Sequence, residues 1–188
     1  LLGYELGGLL HRKRWKSVWQ RAANDGGGVI TGSGAAFLVL ETREHAEARG
    51  ARIYAVVERV ASGRAKRADG NLSDAISGLV RSLDLPEEQL LAISGASGAH
   101  VATGAERSAL ASSGKFAVRG FSSLTGHMKE AQFPFAIALA ALAIHNNAPY
   151  PPFDAENETE LKTGSVNAAL ATAIGYSRFE GAALVVKA

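Results

Sequence analysis

The sequence predicts an α/β layered fold with a mixed, mostly buried sheet packed between helices. Short apolar runs of strand length, such as Ala35 to Glu41 and Leu90 to Ile93, are bounded by glycine and serine. Segments with apolar residues at helical spacing lie between them. Strands and helices alternate along the chain, and that alternation produces layers. With 188 residues, 47% of them apolar, the chain is sized for one domain or for one half of a larger one. Tryptophan and methionine are scarce while alanine and glycine are abundant, so small side chains set close packing.

The elements follow in order. Leu2 to Leu10 reads as the end of a helix, and Arg12 to Arg21 as a basic stretch with two tryptophans that ends in the turn Asn24-Asp25-Gly26-Gly27-Gly28. Gly32-Ser33-Gly34 leads into Ala35 to Glu41, read as a buried strand. Thr42 is placed to cap a short helix, Arg43 to Arg49, which Gly50 ends. Alternation through Ile53, Val56, Val57 and Val60 predicts a long strand over Arg52 to Ala61, followed by a polar loop to Gly70. Ser73 caps a predicted helix running to Leu83, with Ile76, Leu79, Val80 and Leu83 on one face.

Leu90 to Ile93 is a short strand before a Gly/Ala/Ser loop; Glu106 to Ser112 is a helix and Phe116 to Val118 a strand. Phe133 to Ile144 is an apolar run shorter than the ~20 residues that cross a membrane, so it reads as a buried helix. Asn146 to Phe153 is a Pro-rich turn and Asp154 to Glu160 an exposed acidic loop. Gly164 to Ala173 and Ala182 to Lys187 close the sheet.

Composition excludes several classes of function. A net charge of +2 is too small for a nucleic-acid surface. The absence of cysteine removes disulfides, thiolate-bound metals and a thiol nucleophile within these residues, and fits a reducing, cytoplasmic setting. No metal site or cofactor is expected: Asp154, Glu156, Glu158 and Glu160 have the spacing of a solvated turn. Gly32-Ser33-Gly34 lacks the Lys-Ser/Thr of a phosphate loop. The chain begins Leu1-Leu2 without Met and reads as a piece of a longer protein.

Thr125-Gly126-His127 is the strongest candidate for chemistry. A histidine on a glycine turn at the mouth of a buried helix has its ring held by backbone, which suits hydrogen-bond donation to a reacting carbonyl.

Three stretches resemble the C-terminal half of a β-ketoacyl-ACP synthase, a thiolase-fold condensing enzyme. Gly32 to Glu41 together with His45-Ala46-Glu47-Ala48-Arg49-Gly50-Ala51 is similar to the family's GEGAG-x-LVLE strand and HAxARGA helix. Ser123-Leu124-Thr125-Gly126-His127 is similar to its KSMTGH segment, and Gly181-Ala182-Ala183-Leu184-Val185-Val186 to its last strand. Residues 1–188 then correspond to that half, and the N-terminal half, with its cysteine nucleophile, lies outside this chain.

The resemblance implies a chemistry in which the cysteine takes an acyl group and malonyl-ACP loses carbon dioxide. Two histidines donate N–H bonds to the enolate-like oxygen, and backbone amides beside the last strand hold the thioester oxygen. His127 stands at the second of those histidines. Gly95 stands where the first is expected, and His100, nearby, lies in no H-G-T-x-T motif and reads as a partly exposed loop residue. Ser122 stands at the family lysine, with loss of its charge. Glu130, Gln132, Phe133 and Pro134 replace small residues after His127, and Pro134 is expected to bend the helix. In Gly175 to Gly181 either Tyr176 or Ser177 stands at the gating phenylalanine, and Arg178, Phe179 and Glu180 are expected to obstruct the acyl loop.

Losses on separate segments imply a degenerate site, as in the chain-length-factor partners of condensing enzymes. Such a subunit acts in fatty-acid or polyketide chain assembly, with acyl carrier protein and, as a homo- or heterodimer, a condensing enzyme as partners. An active synthase with divergent motifs, and a thiolase-fold assembly protein without an acyl ligand, are the alternatives. The basic cluster His11-Arg12-Lys13-Arg14-Trp15-Lys16 is either a steering patch for the acidic carrier protein or a solvated loop.

Overall fold

The computed structural model describes residues 2–12, 14–23, 28–67, 70–112, 115–162 and 164–188. Five strands form one sheet: β1 Val56–Gly63, β2 Leu90–Ser94, β3 Phe116–Gly120, β4 Ala168–Ile174 and β5 Glu180–Val186. Their order is β1-β5-β4-β2-β3. β2 is parallel to both β3 and β4, and β5 is antiparallel to both β4 and β1. The sheet is mixed, as predicted.

The central strands carry apolar residues on both faces, and alternation sorts those residues between two cores. Leu91 and Ile93 of β2, Ala169 and Ala171 of β4, and Ala183 and Val185 of β5 face α7, Gln132–His145. Ala92, Leu170 and Ala182 face α4, Leu72–Arg81, and α5, His100–Ser112. On α7 the sheet-facing residues include Ala136, Ala140 and Ala143, buried at helical spacing. Methyl side chains let this helix lie close on the sheet. Helices cover both faces, which gives the predicted layers.

The shorter elements position the site. They are α1 Leu2–Leu6, α2 Val18–Ala22, α3 Arg43–Ala48, α6 Ser122–Thr125 and a 3-10 turn, Lys129–Ala131. α3 begins and ends as the sequence indicates. The Thr42 hydroxyl accepts the His45 N–H, and Gly50 adopts φ +66°.

Several expectations change. The run 35–41 is no buried strand: it joins no ladder among the described residues, and Phe37, Val39 and Leu40 are 95%, 81% and 74% exposed. Apolar residues make a segment fit for a sheet, but a strand also needs a backbone partner, and 35–41 pairs with none of the five strands. The strand predicted over 52–61 occupies Val56–Gly63 and breaks register at Val57/Arg59. Helix α4 begins at Leu72; Asn71 occupies the cap position without a side-chain bond, and Ser73 lies inside the first turn. Helix α5 starts six residues earlier than predicted, at His100 rather than Glu106. The closing strands are Ala168–Ile174 and Glu180–Val186. Pro134 stands in the first turn of α7, where its nitrogen would have no intrahelical acceptor, so it costs no bond there. The turn expected at Asn24 to Gly27 lies outside the described residues.

The acidic loop is also a correction. Asp154 and Glu158 are buried. Asp154 accepts hydrogen bonds from Ser17 Oγ and Asn157 Nδ2. Glu158 accepts from Trp19 Nε1, the Gly120 N–H and the Phe153 N–H. Fully buried Arg119 donates to the carbonyls of Tyr150 and Thr159 and to Glu160. Carboxylates survive burial when donors surround them, and here they fasten loop 150–160 to α2 and β3. No helix among the described residues is long and apolar enough to cross a membrane.

Candidate functional site

The chain leaves β3, makes the single turn of α6 and reverses at Gly126, which adopts φ +72°. His127 then lies beside Thr31 in a parallel bridge: its N–H donates to the Ile30 carbonyl at 2.7 Å and its carbonyl accepts from the Gly32 N–H at 2.9 Å. Two glycines make this approach possible. A Cβ on Gly32 would stand 2.0 Å from the Thr125 oxygen, and one on Gly126 2.8 Å from the Gly32 nitrogen. A Cβ at Gly34 would overlap Met128 Sδ at 2.2 Å. The two motif-bearing stretches, 32–34 and 125–128, are thus neighbours in space.

A backbone bridge therefore holds His127; the 3-10 turn separates it from α7. Its ring is 8% exposed, and Nδ1 has no hydrogen-bond partner among the described residues. Burial pushes the imidazole below its ordinary pKa, against the opposing pull of the Glu130 carboxylate. At neutral pH the ring is uncharged, with one N–H donor and one acceptor. Thr125 does not extend the site: its hydroxyl contacts the carbonyls of Phe121 and Gly126 within its own turn.

Gly95 and Ser122 converge, and Gln132 joins them. The Gln132 amide donates to the Gly95 carbonyl at 3.1 Å and to Ser122 Oγ at 2.5 Å, and its oxygen accepts the Met128 N–H at 2.9 Å. Gln132 is 2% exposed. A Cβ at Gly95 would meet the Thr172 carbonyl oxygen at 2.5 Å, so position 95 has no room for an imidazole. His100 does not take its place: it opens α5, and Nδ1 lies 2.7 Å from the Ala22 carbonyl oxygen.

Positive charge does stand beside Ser122, supplied from a distant segment. Arg21, fully buried, donates from Nη2 to the Ser122 carbonyl at 3.0 Å. Burial lowers its pKa to about 10, which leaves it charged at neutral pH. Trp15 Nε1 donates to the Ser123 carbonyl, and Ser123 Oγ accepts the Val18 N–H. The basic stretch thus buttresses α6 through Trp15 and Arg21, with Arg14 and Lys16 left in solvent.

Tyr176 and Ser177 are exposed on the loop between β4 and β5. The Tyr4 ring, from α1, stands edge-on to His127 at 6.5 Å and tilted against Tyr176 at 5.7 Å. Tyr4 thereby joins the two places the sequence singles out, a role no local pattern signals. The expected obstruction by 178–180 takes another form. Glu180 is buried as the first residue of β5 and pairs with Arg67 at 2.5 Å, and the Arg64 guanidinium lies over the Phe179 ring. Behind the site, buried Glu106 accepts from Ser94 Oγ at 2.8 Å and Thr172 Oγ1 at 2.5 Å; burial raises its pKa. Among the described residues, no group of three or more His, Cys, Asp or Glu could hold a metal ion.

No protein-family model matches the chain, and no curated protein matches its sequence. Solved structures do. The chain is similar over its whole length to the ishigamide ketosynthase/chain length factor, with a TM-score of 0.76 and 20% identity, covering 50% of that chain. A second similarity, covering 99% of this chain and 52% of the other at TM-score 0.63 and 20% identity, is to a type II polyketide synthase acyl-carrier protein in complex with its ketosynthase bound to the hexaketide. A third is to ketosynthase twelve of the bacillaene polyketide synthase in Bacillus amyloliquefaciens, at TM-score 0.63 and 14% identity, covering 95% and 39%. The fold is the thiolase-like fold of the ketosynthases, and the chain spans about half the length of the first of these structures.

Proposed function

We propose that this chain is the C-terminal half of a ketosynthase-like subunit that does not itself condense. It acts in fatty-acid or polyketide chain elongation as the chain-length-factor-like partner of an active synthase, with acyl carrier protein delivering the chain in the cytoplasm. The observation that carries this reading is Gln132. Its amide satisfies Gly95 and Ser122, the two positions at which the resemblance expects a histidine and a lysine. Among the described residues, a reacting oxygen there would find one neutral imidazole, His127, and no second histidine at position 95.

The partner half is argued from uncovered apolar surface. Phe37, Val39 and Leu40 project into solvent, and α7 has no Asp, Glu, Lys or Arg, yet Leu142 is 44% exposed. A helix apolar on all sides belongs in an interior. The remaining half of the fold would supply strands for 35–41 and a second layer for α7.

The test uses the full-length protein, alone and with its synthase. Alone, it is expected to leave malonyl-ACP intact; mixed with the synthase, it is expected to change the length of the acyl product. Rapid decarboxylation by the protein alone, abolished in His127→Ala, would establish the active-synthase reading instead.

A further inference from the structure

We infer that Arg67 is a positioning residue that grips both ends of the loop carrying Tyr176 and so sets how an acyl chain passes it; the inference rests on the acyl-site reading above. The loop leaves β4 after Ile174 and returns in β5 at Glu180. It closes on itself where the Gly175 N–H donates to the Phe179 carbonyl at 2.9 Å. Arg67 lies on neither strand, but it reaches both ends. Nη2 donates to the Gly175 carbonyl at 2.5 Å, and Nη1 donates to Glu180 Oε1 at 2.5 Å. The second carboxylate oxygen accepts the Ala65 N–H at 2.9 Å. Both side chains are largely withdrawn from water, at 14% and 2% exposure, where a charge-assisted pair is screened little.

The loop is held in a conformation it would not choose freely. Phe179 has φ +67°, a left-handed backbone that an aromatic side chain disfavours, and its ring lies under the Arg64 guanidinium, 5.3 Å away. Gly175 must be glycine, because a Cβ there would stand 2.0 Å from the Arg178 carbonyl oxygen. A strained loop persists only when its surroundings over-determine it. Residues 64–67 supply that constraint: Arg67 at the two ends, Arg64 over Phe179 where the loop returns to β5. On the inner side Tyr176 leans on Tyr4, which leans on His127. A planar guanidinium suits this grip because two separate nitrogens, Nη1 and Nη2, donate to the carboxylate and the carbonyl in fixed directions, whereas the lysine ammonium carries all its donors on one freely rotating nitrogen.

The test compares wild type, Arg67→Lys, and the double variant Arg67→Met/Glu180→Gln in the full-length protein. The double variant removes the pair without leaving a buried unpaired charge, so the fold survives the change. Amide hydrogen exchange at Gly175, Tyr176 and Phe179 is expected to quicken about tenfold in the double variant and less in Arg67→Lys, with the Leu91–Ile93 amides unchanged. Photolabelling by an octanoyl-pantetheine diazirine probe and its hexadecanoyl counterpart is expected to shift toward the longer chain in the same order. Loop exchange equal to wild type in the double variant overturns the inference, as does an unchanged labelling ratio when His127→Ala alters it. If neither probe labels wild type, the acyl-site reading itself fails.

Discussion

His127, Glu106 and Gln132 each make a prediction at the scale of a single side chain. Burial holds the His127 imidazole below its ordinary value of 6.5. The unfolded chain therefore binds more protons in that window, so this group's stabilisation is complete above pH 6.5 and lost as pH falls through the folded pKa. Carbon-13 or nitrogen-15 shifts of the ring should show its midpoint below the ordinary imidazole value of 6.5. Glu106 has the opposite sign. Its folded pKa is raised above 4.5, so the native state holds the proton longer, and stability contributed by the neutral acid is lost as pH rises through that folded value. Glu106→Gln, an amide that stays neutral, should gain stability relative to wild type as urea unfolding is measured at increasing pH. Gln132→Ala removes the partner of three groups at once and should cost about 3 kcal/mol in the same experiment. Gly95→His cannot restore an active site, because the Thr172 carbonyl already occupies the direction its Cβ would take.

At the scale of elements, the contact between 30–32 and 125–127 decides where His127 sits. Gly32→Ala must push the Thr125 carbonyl aside, which should cost about 1–3 kcal/mol and shift the urea midpoint accordingly. The α7–sheet contact is equally demanding. Ala140 is fully buried against the sheet, and Ala140→Leu should overpack it by a similar amount, whereas Leu142→Gln, at an exposed position of the same helix, should change stability by less than about 0.5 kcal/mol. The sequence marks this run as a buried helix, but apolar residues lie all round it, so which face meets the sheet is decided by the tertiary structure. The Thr42 cap and Gly50 stop are legible in the sequence, because capping is local chemistry between residues a few positions apart.

The molecule as a whole has a covered side and one that exposes apolar residues. The sheet is covered by α4 and α5 on one face and α7 on the other, but 35–41 and the outer surface of α7 face solvent. Phe37→Ser together with Val39→Ser should leave the unfolding free energy of residues 1–188 within about 0.5 kcal/mol of wild type, because both side chains are already exposed. On the proposed half-fold reading, the same pair should weaken association with the N-terminal half in a co-purification experiment. Equal recovery of both forms would show that this strip covers nothing.

Sequence alone determined the class of layers, the strands β2, β3 and β5 to within a few residues, the cap of α3, the buried helix α7 and the nearness of His127 to a glycine turn. Each is a property of period, of local backbone geometry or of side chains close in sequence. It also marked Gly95 and Ser122 as departures from a known pattern. Tertiary structure alone decided what stands in their place: Gln132 bridges 95 and 122, Arg21 brings its charge across a hundred residues, Tyr4 joins His127 to Tyr176, and Arg67 grips the loop at 175–180. It likewise turned the acidic run at 154–160 inward and left the apolar run at 35–41 outside. Burial and pairing depend on what the rest of the chain brings near, and neither composition nor spacing encodes that separation in space.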